Sequence, residues 1–334
     1  MRSFNPDNIA VLILAGGSGK RLWPYVSKDN PKFIFAPFGK TILENTICLA
    51  KEIVPPQHIF ILTTLNQKKF LSDIVPSNLQ NNIITEPATR DTAFALIFGA
   101  FKIFQKMGPV FLLNLATDHI IEKVDEFKRG LKFATYHKEY LYLFTTPIQF
   151  PSIHHGYVKV GKRLSGLIYK VERFIEKPPE ILTKKFMKNT SYRWNCGIFF
   201  WHFKTFSAEC KKIKPLFKFL YYIANNNPQK AYSLPSPGSI EFSLLEKTNI
   251  LATLNVNIRW HDIGTWENLL TFTQTKKKNI EDKILSTYNA KNIRIFGDFT
   301  KVKVIGVDDL LIVKSKNNLL ISRYGKSFHL KNLN

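Results

Sequence analysis

The sequence predicts an α/β fold with a mixed, mainly parallel sheet, followed by a small all-β domain at the C-terminus. Over the first 150 residues, short continuously apolar runs alternate with longer stretches that carry apolar residues at helical spacing. From about residue 283 the chain contains only short strand-like runs. Such β-α-β-α alternation is typical of parallel strands that are covered by helices on both faces.

The apolar runs of the first part predict buried strands at residues 8–15, 58–65, 110–116 and 140–146, because each run is bounded by turn or polar residues. The stretches between them predict helices at residues 41–53, 92–106 and 125–138.

After residue 150 the pattern is mixed. It predicts strands at 155–160, 169–176 and 196–203 and helices at 179–189 and 204–220. A polar, lysine-rich joint at residues 273–282 separates a predicted larger domain, 1–275, from a β domain, 276–334. Within that β domain, strands are predicted at 302–307, 310–314 and 318–322.

Composition excludes several classes of protein. The 334 residues are 45% hydrophobic, which excludes general disorder, and the apolar runs are too short to span a membrane. Three cysteines without CxxC spacing support neither a disulfide framework nor a zinc module, and they favour a reducing, cytoplasmic location. The net charge of +23 is compatible with nucleic acid, an anionic surface or a small anionic substrate.

A glycine-rich loop, LAGGSGKRLWP at residues 14–24, follows the first predicted strand. Backbone N–H groups at glycines can approach phosphate closely, and the planar guanidinium of Arg21 suits a polyphosphate. The loop fits neither the P-loop nor the Rossmann fingerprint. Alone, it is equally compatible with a tight strand-to-helix turn.

Together with Pro31-Lys32, this loop resembles the sugar nucleotidyltransferases, above all the mannose-1-phosphate guanylyltransferases (GDP-mannose pyrophosphorylases), whose pattern is LAGGxGxRLWP…PKQF. Further matches follow in the family's order over nearly the whole chain. They are EPATRDTA at 86–93, TDH at 117–119, GYV at 156–158, FIEKP at 174–178, WNCGIF at 194–199 and WHDIGTW at 260–266. The resemblance implies a Rossmann-like nucleotidyltransferase core in residues 1–275.

The resemblance also implies a set of site residues. Asp118 follows a predicted strand, and ligands of open α/β sheets bind at the carboxyl ends of strands, although a lone aspartate there is also a common turn cap. The implied catalytic residues are Arg21, Lys32 and Asp118; the nucleotide-binding residues are Ala15, Gly16, Gly17, Gly19, Glu86 and Asp91; the sugar-phosphate-binding residues are Gly156, Glu176, Lys177 and Asn195; and the ligands of the Mg²⁺ cofactor are Asp118 and Asp262.

Six positions depart from the family pattern, and they cluster around base and sugar recognition. They are Phe33 for Gln, Asp91 for Asn, Phe94 for Pro, His155 for Tyr, Cys196 for Ser and Glu241 for Asp. The charged residues implied to bind phosphate and metal are retained, so the type of reaction is predicted more firmly than the specificity for base and sugar. They are Arg21, Lys32, Asp118, Lys177 and Asp262. An ionised Asp91 would accept hydrogen bonds from a purine but could not donate them.

The implied function is transfer of GMP from GTP to mannose 1-phosphate, without a membrane or nucleic-acid partner. The edges of the C-terminal strands would also allow a homodimer. Larger relatives carry an added isomerase domain, and the end of this chain predicts transferase activity only. The alternatives are a sugar-1-phosphate nucleotidyltransferase with another base or sugar, and a catalytically weak regulatory or nucleic-acid-binding relative.

Overall fold

A computed structural model of the chain describes residues 5–275 and 285–333. The chain divides into two compact units, each built from several segments. Unit 1 consists of Met1–Gly16, Glu44–Thr117 and Ile121–Trp260, and unit 2 consists of Gly17–Leu43, Asp118–Ile120 and His261–Asn334. Most of the predicted joint at 273–282 lies outside the described residues, so the division into domains 1–275 and 276–334 stays a prediction.

The described helices and strands are numbered here in chain order. The strands are β1 (Ile9–Leu14), β2 (Ile59–Thr64), β3 (Ile83–Glu86), β4 (Phe111–Ala116), β5 (His119–Glu122), β6 (Leu141–Pro147), β7 (Tyr157–Ser165), β8 (Ile168–Ile175), β9 (Tyr192–His202), β10 (Leu251–Leu254), β11 (Arg259–Asp262), β12 (Leu285–Tyr288), β13 (Arg294–Gly297), β14 (Val302–Ile305), β15 (Leu310–Ser315) and β16 (Asn318–Arg323). The helices are α1 (Ile42–Lys51), α2 (Leu65–Lys68), α3 (Thr92–Met107), α4 (Val124–Ala134), α5 (Glu180–Met187), α6 (Phe203–Lys211), α7 (Lys214–Ala224), α8 (Pro228–Ser233) and α9 (Trp266–Thr275).

Unit 1 contains a nine-stranded sheet in the order β3-β2-β1-β4-β9-β6-β10-β8-β7. Strands β3, β2, β1 and β4 are mutually parallel, and β10 is parallel to β6. Strand β9 is antiparallel to β4, β6 and β7, and β8 is antiparallel to β10 and β7. Seven strands therefore share one direction, which confirms the predicted mixed, mainly parallel sheet.

The parallel part of the sheet explains the continuous apolar runs of the sequence. The first five residues of β1 have no exposed surface, as expected for a strand covered on both faces. Leu14 of β1 pairs with Ala116 of β4, and Thr64 of β2 pairs with Glu86 of β3. The carboxyl ends of these strands therefore lie along one edge of the sheet, where ligands of such folds bind.

Several features differ from the sequence prediction, which did not include helices α2, α8 and α9. The predicted helix at 204–220 is two helices, α6 and α7, because Pro215 lacks an N–H group and occupies the first turn of α7. Within residues 5–275, four strands of only four residues each were not predicted, since so short a run carries little periodicity. They are β3, β5, β10 and β11.

Unit 2 contains the C-terminal strands, which confirm the predicted short-strand β structure. Strands β12 and β14 pair in parallel, while β13, β15 and β16 form a three-stranded sheet. Leu311 and Val313 of β15 share a buried core with Leu22 and Phe35 from the segment after the glycine-rich loop, and with Trp266 of α9. The C-terminal strands thus support the loop segment directly.

No helix in residues 5–275 or 285–333 combines the length and the apolar character needed to cross a bilayer.

Candidate active site

Gly19, which has a φ of +61°, shapes the part of the glycine-rich loop that belongs to unit 2. A Cβ at this position would lie 2.6 Å from Lys32 Cβ and 2.7 Å from Val26 Cγ1, so the conformation and the space both require glycine. Leu22 N–H donates to Gly19 O at 2.9 Å and closes the short helical turn that carries Arg21. By contrast, Gly17 is exposed and has no atom within 4 Å of its Cβ position, which leaves its backbone accessible.

Two carboxylates of unit 2 converge at Gly264. A Cβ on residue 264 would lie 2.5 Å from Asp118 Oδ2, 2.9 Å from Asp262 Oδ1 and 3.3 Å from Lys32 Nζ. Gly264 N–H donates to Asp262 Oδ1 at 2.7 Å, and Ile263 N–H donates to Asp118 O at 2.9 Å. The turn after β11 therefore places Asp262 beside Asp118, as the resemblance implies, and the missing side chain leaves the space between them.

Lys32 forms an ion pair with Asp118, and both side chains are only 13% exposed. Burial by itself would raise the pKa of Asp118, but the nearby charges of Lys32, His119 and Arg21 hold that pKa well below its usual range. Asp118 is therefore ionised at neutral pH. Of the residues predicted as catalytic or metal-binding, Arg21, Lys32, Asp118 and Asp262 are all brought together.

This donor set fits a magnesium ion that is shared with substrate phosphates. Within the described residues, no group of three or more His, Cys, Asp or Glu side chains could hold a metal by itself. Mg²⁺ typically uses one or two protein carboxylates, with water and phosphate oxygens completing its six ligands. The pair formed by Asp118 and Asp262, separated by a glycine, provides such a partial site.

In unit 1, Glu86 lies at the end of β3, where it is 4% exposed. Tyr232 donates its hydroxyl hydrogen to Glu86 Oε1 at 2.7 Å, and Glu86 Oε2 lies 3.7 Å from the Cβ position of Gly16. Thr63 Oγ1 donates to the backbone oxygen of Ala15, the residue before Gly16, at 3.0 Å. Three of the predicted nucleotide-binding residues, Ala15, Gly16 and Glu86, therefore belong to one neighbourhood.

Asp91, the fourth such residue in unit 1, has a different environment. It is exposed immediately before α3, and its Oδ2 accepts a hydrogen bond from Ser236 Oγ at 2.7 Å. Its carboxylate thus binds a neighbouring segment, and its predicted contact with the base stays a prediction.

The predicted sugar-phosphate residues form a second neighbourhood of unit 1. A Cβ on Gly156 would lie 2.5 Å from Glu176 Oε2 and 3.4 Å from Asn195 Cβ, while Asn195 N–H donates to Gly156 O at 2.8 Å. Lys177 Nζ lies 3.1 Å from Glu176 Oε1. Lys177 also has a φ of +47°, a left-handed conformation that costs a lysine roughly 1 kcal/mol. Strain of this kind is concentrated at functional sites.

Two further carboxylates surround Glu176. Glu246 Oε1 accepts from the Glu176 backbone N–H at 2.8 Å. Burial, and then the charge of Glu241, raise the pKa of Glu176 to about 7, against the lowering effect of Lys177. Sequence reasoning noted Glu241 only as a departure from the family and missed Glu246.

Tyr232 and Gly264 were also missed as contributors. Gly264 lies inside a matched motif. A larger residue is excluded there by Asp118, which is far away in the sequence, so the motif alone does not show why glycine is required. Nothing in the sequence connects Tyr232 with Glu86.

The burial of Glu86 should measurably lower the free energy of unfolding at neutral pH. Burial raises its pKa to about 7, although the Tyr232 hydrogen bond opposes this, so an unfolded glutamate ionises at lower pH than the folded one. Wild-type stability should therefore fall as pH rises from about 4.5 to 7. Glu176, whose pKa is raised in the same way, contributes a similar fall, so Glu86→Gln should remove only the part due to Glu86 and gain roughly 3 kcal/mol relative to wild type between pH 4.5 and 8.

Urea unfolding of both proteins at several pH values measures this difference. Glu52→Gln, which changes a glutamate side chain that is 55% exposed, should show no comparable gain. Equal pH dependence of wild type and Glu86→Gln would contradict the assignment.

The chain is similar to known proteins over nearly its whole length. The chain is 27% identical to mannose-1-phosphate guanylyltransferase 2 of Escherichia coli O157:H7 over 97% of its own length and 72% of the relative's. It is 28% identical to the alginate biosynthesis protein AlgA of Pseudomonas syringae pv. tomato over 94% of this chain and 69% of that one.

The fold resembles a crystal structure of mannose-1-phosphate geranyltransferase from Thermus thermophilus, with a TM-score of 0.83 and 22% identity. The match covers 97% of this chain and 98% of that structure. The family model described as nucleotidyl transferase matches residues 10–279, which is most of the chain. The chain therefore belongs to the nucleotidyl transferase family.

Proposed function

We propose that the chain transfers GMP from GTP to α-D-mannose 1-phosphate and releases GDP-mannose and pyrophosphate. The observation that carries the reaction type is the convergence of Asp118 and Asp262 at Gly264, beside Lys32. The names of the relatives, guanylyltransferases acting on mannose 1-phosphate, support the choice of base and sugar.

The reaction makes one bond and breaks one. A phosphate oxygen of mannose 1-phosphate attacks the α-phosphorus of GTP, and the bond from that phosphorus to the β-phosphate oxygen breaks. Its electron pair leaves with pyrophosphate. The attacking phosphate is already an anion at pH 7, so the protein must align the groups and neutralise charge rather than remove a proton.

In this proposal, one set of residues binds the phosphates of the nucleotide. Arg21 and the backbone around Gly17 and Gly19 hold the triphosphate, and Lys32 stabilises charge near the α-phosphate. Asp118 and Asp262 hold Mg²⁺. When bound, the ion neutralises phosphate charge and fixes the orientation of the phosphate oxygens.

A second set of residues binds the remaining parts of the two substrates. Glu86 and Asp91, with the backbone of Ala15 and Gly16, bind the nucleoside. Gly156 makes room for the sugar, whose hydroxyl groups bind Glu176 and Asn195, while Lys177 binds the sugar phosphate. We also assign the enzyme to the cytoplasm and propose a homodimer formed through the C-terminal strands.

A substrate panel tests the function. The purified chain is mixed with Mg²⁺, each of the four ribonucleoside triphosphates and dTTP, and mannose, glucose or N-acetylglucosamine 1-phosphate, and pyrophosphate release is measured. We expect kcat/KM to be highest for GTP with mannose 1-phosphate. A higher value for another pair would replace the proposal by a related sugar-1-phosphate nucleotidyltransferase, and no release from any pair would favour the regulatory alternative.

Lys177→Ala should mainly raise the KM for mannose 1-phosphate, by about ten-fold, because the variant loses an exposed charge that attracts one substrate. The KM for GTP should change little. Lys170→Ala, which removes an exposed lysine from β8, serves as the control and should leave both constants unchanged. A defect confined to GTP would contradict the role of Lys177.

A further inference from the structure

A segment of unit 1 that carries no predicted role runs along the nucleoside-binding residues. Arg90 Nε and Nη2 donate to Tyr232 O at 3.2 and 3.0 Å, and Ile240 N–H donates to Thr92 Oγ1 at 3.0 Å. With the Ser236 bond to Asp91, these contacts join residues 232–240 to residues 86–92 at several points. We call residues 232–240 the clasp segment.

Tyr232 has the most deeply buried polar side chain of the clasp segment. It is 3% exposed, and its ring packs edge-on against Phe98 and Phe219, with centroid distances of 5.6 and 5.2 Å. Its backbone is held by Arg90. Ring and backbone are therefore both fixed, so the hydroxyl group is delivered to Glu86 Oε1 in one orientation.

We propose that Tyr232 is a positioning residue for nucleotide selection, which fixes the Glu86 carboxylate through Oε1 so that Oε2 accepts hydrogen bonds from the base. This inference rests on the proposed role of Glu86 in nucleoside binding. Guanine presents two adjacent donors, N1–H and the 2-amino group, whereas adenine presents an acceptor at N1. A carboxylate that can only accept selects the former.

The hydrogen bond also matches the electrostatics of Glu86. Burial favours the neutral acid, whereas the Tyr232 hydroxyl stabilises the carboxylate form that the base requires. A carboxylate fixed by one buried donor loses little further freedom when it binds a base, and preorganisation of this kind sharpens discrimination between ligands.

Tyr232→Phe tests the proposal, because it removes one hydroxyl group and keeps the ring packing. Isothermal titration with Mg·GTP and Mg·ATP should show a roughly ten- to hundred-fold loss of GTP affinity, as expected for a lost hydrogen bond to a charged group, and a reduced preference for GTP. The KM for mannose 1-phosphate should not change. Tyr221→Phe, at a 54% exposed tyrosine, should behave as wild type.

A double-mutant cycle separates positioning from general structure. If Tyr232 acts through Glu86, then Tyr232→Phe should add nothing to the loss of GTP affinity caused by Glu86→Gln. Additive losses, or unchanged GTP affinity in Tyr232→Phe with a normal thermal transition, would overturn the inference.

The same experiment distinguishes the inference from the proposed function. If wild type prefers another nucleotide in the panel, the guanylyl assignment fails. If Tyr232→Phe then lost the preference for that nucleotide, the positioning role of Tyr232 would still be supported. If the variant kept the preference, the positioning role would be overturned.

Discussion

Asp118→Asn should lower Mg²⁺-dependent turnover by roughly 10²–10⁴-fold while the fold persists. The side chain converges with Asp262 at Gly264 and is held ionised by Lys32, His119 and Arg21, so its charge is present at neutral pH. Asparagine keeps the shape but removes the charge that would bind the metal. Several kcal/mol of transition-state stabilisation would be lost with it, and each 1.36 kcal/mol is a factor of ten in rate.

The measurement is pyrophosphate release at saturating GTP and mannose 1-phosphate over a Mg²⁺ titration, with circular dichroism to verify folding. Asp125→Asn, which changes an exposed aspartate in the first turn of α4, should retain wild-type turnover. Turnover of Asp118→Asn within a few-fold of wild type would exclude Asp118 as a metal ligand.

Gly264→Ala should reduce kcat by about 10²-fold with little loss of stability. The added methyl group would meet Asp118 Oδ2 at 2.5 Å and Asp262 Oδ1 at 2.9 Å. Both contacts are with the ends of side chains, which can move aside without disturbing the core. The carboxylates would then lose their mutual geometry, and small displacements of catalytic groups have large kinetic costs.

Gly161→Ala is a matched control, because its added methyl group would also meet a carboxylate side chain, with Glu172 Cγ at 2.5 Å and Oε1 at 2.8 Å. Glu172 is 45% exposed and pairs with Lys159 at 2.8 Å. Thermal unfolding should show similar small shifts in both variants, while only Gly264→Ala loses turnover. An equal loss of turnover in both, or none in either, would contradict the role of Gly264.

The sequence predicted the parallel part of the fold well, for a physical reason. Strands buried on both faces must be continuously apolar, as in β1, and amphipathic helices such as α4, which buries Phe127, Gly130, Leu131 and Ala134, have a clear period. Strand β10 has only four residues, and its place between β6 and β8 depends on long-range pairing. Local patterns carry no information about such pairing.

The candidate site likewise contains residues that local motifs identify and residues that only long-range contacts reveal. Motif order identified Asp118 and Asp262 as candidates, and the structure brings these two residues together. Motifs do not state which residues outside them complete a site, so Tyr232 was found only through its contact with Glu86, 146 positions away. The proposed reaction assigns a role to only a small part of the net charge of +23, namely to Arg21, Lys32 and Lys177.

The transfer of GMP to mannose 1-phosphate is tested most directly with sugar phosphate that carries ¹⁸O in its non-bridging phosphate oxygens. The chain is incubated with GTP, Mg²⁺ and this substrate, and the products are identified by mass spectrometry. Attack of the sugar phosphate on the α-phosphorus predicts GDP-mannose that retains all the label, together with unlabelled pyrophosphate. Absence of GDP-mannose from a folded preparation, or label in the pyrophosphate, would contradict the proposed reaction.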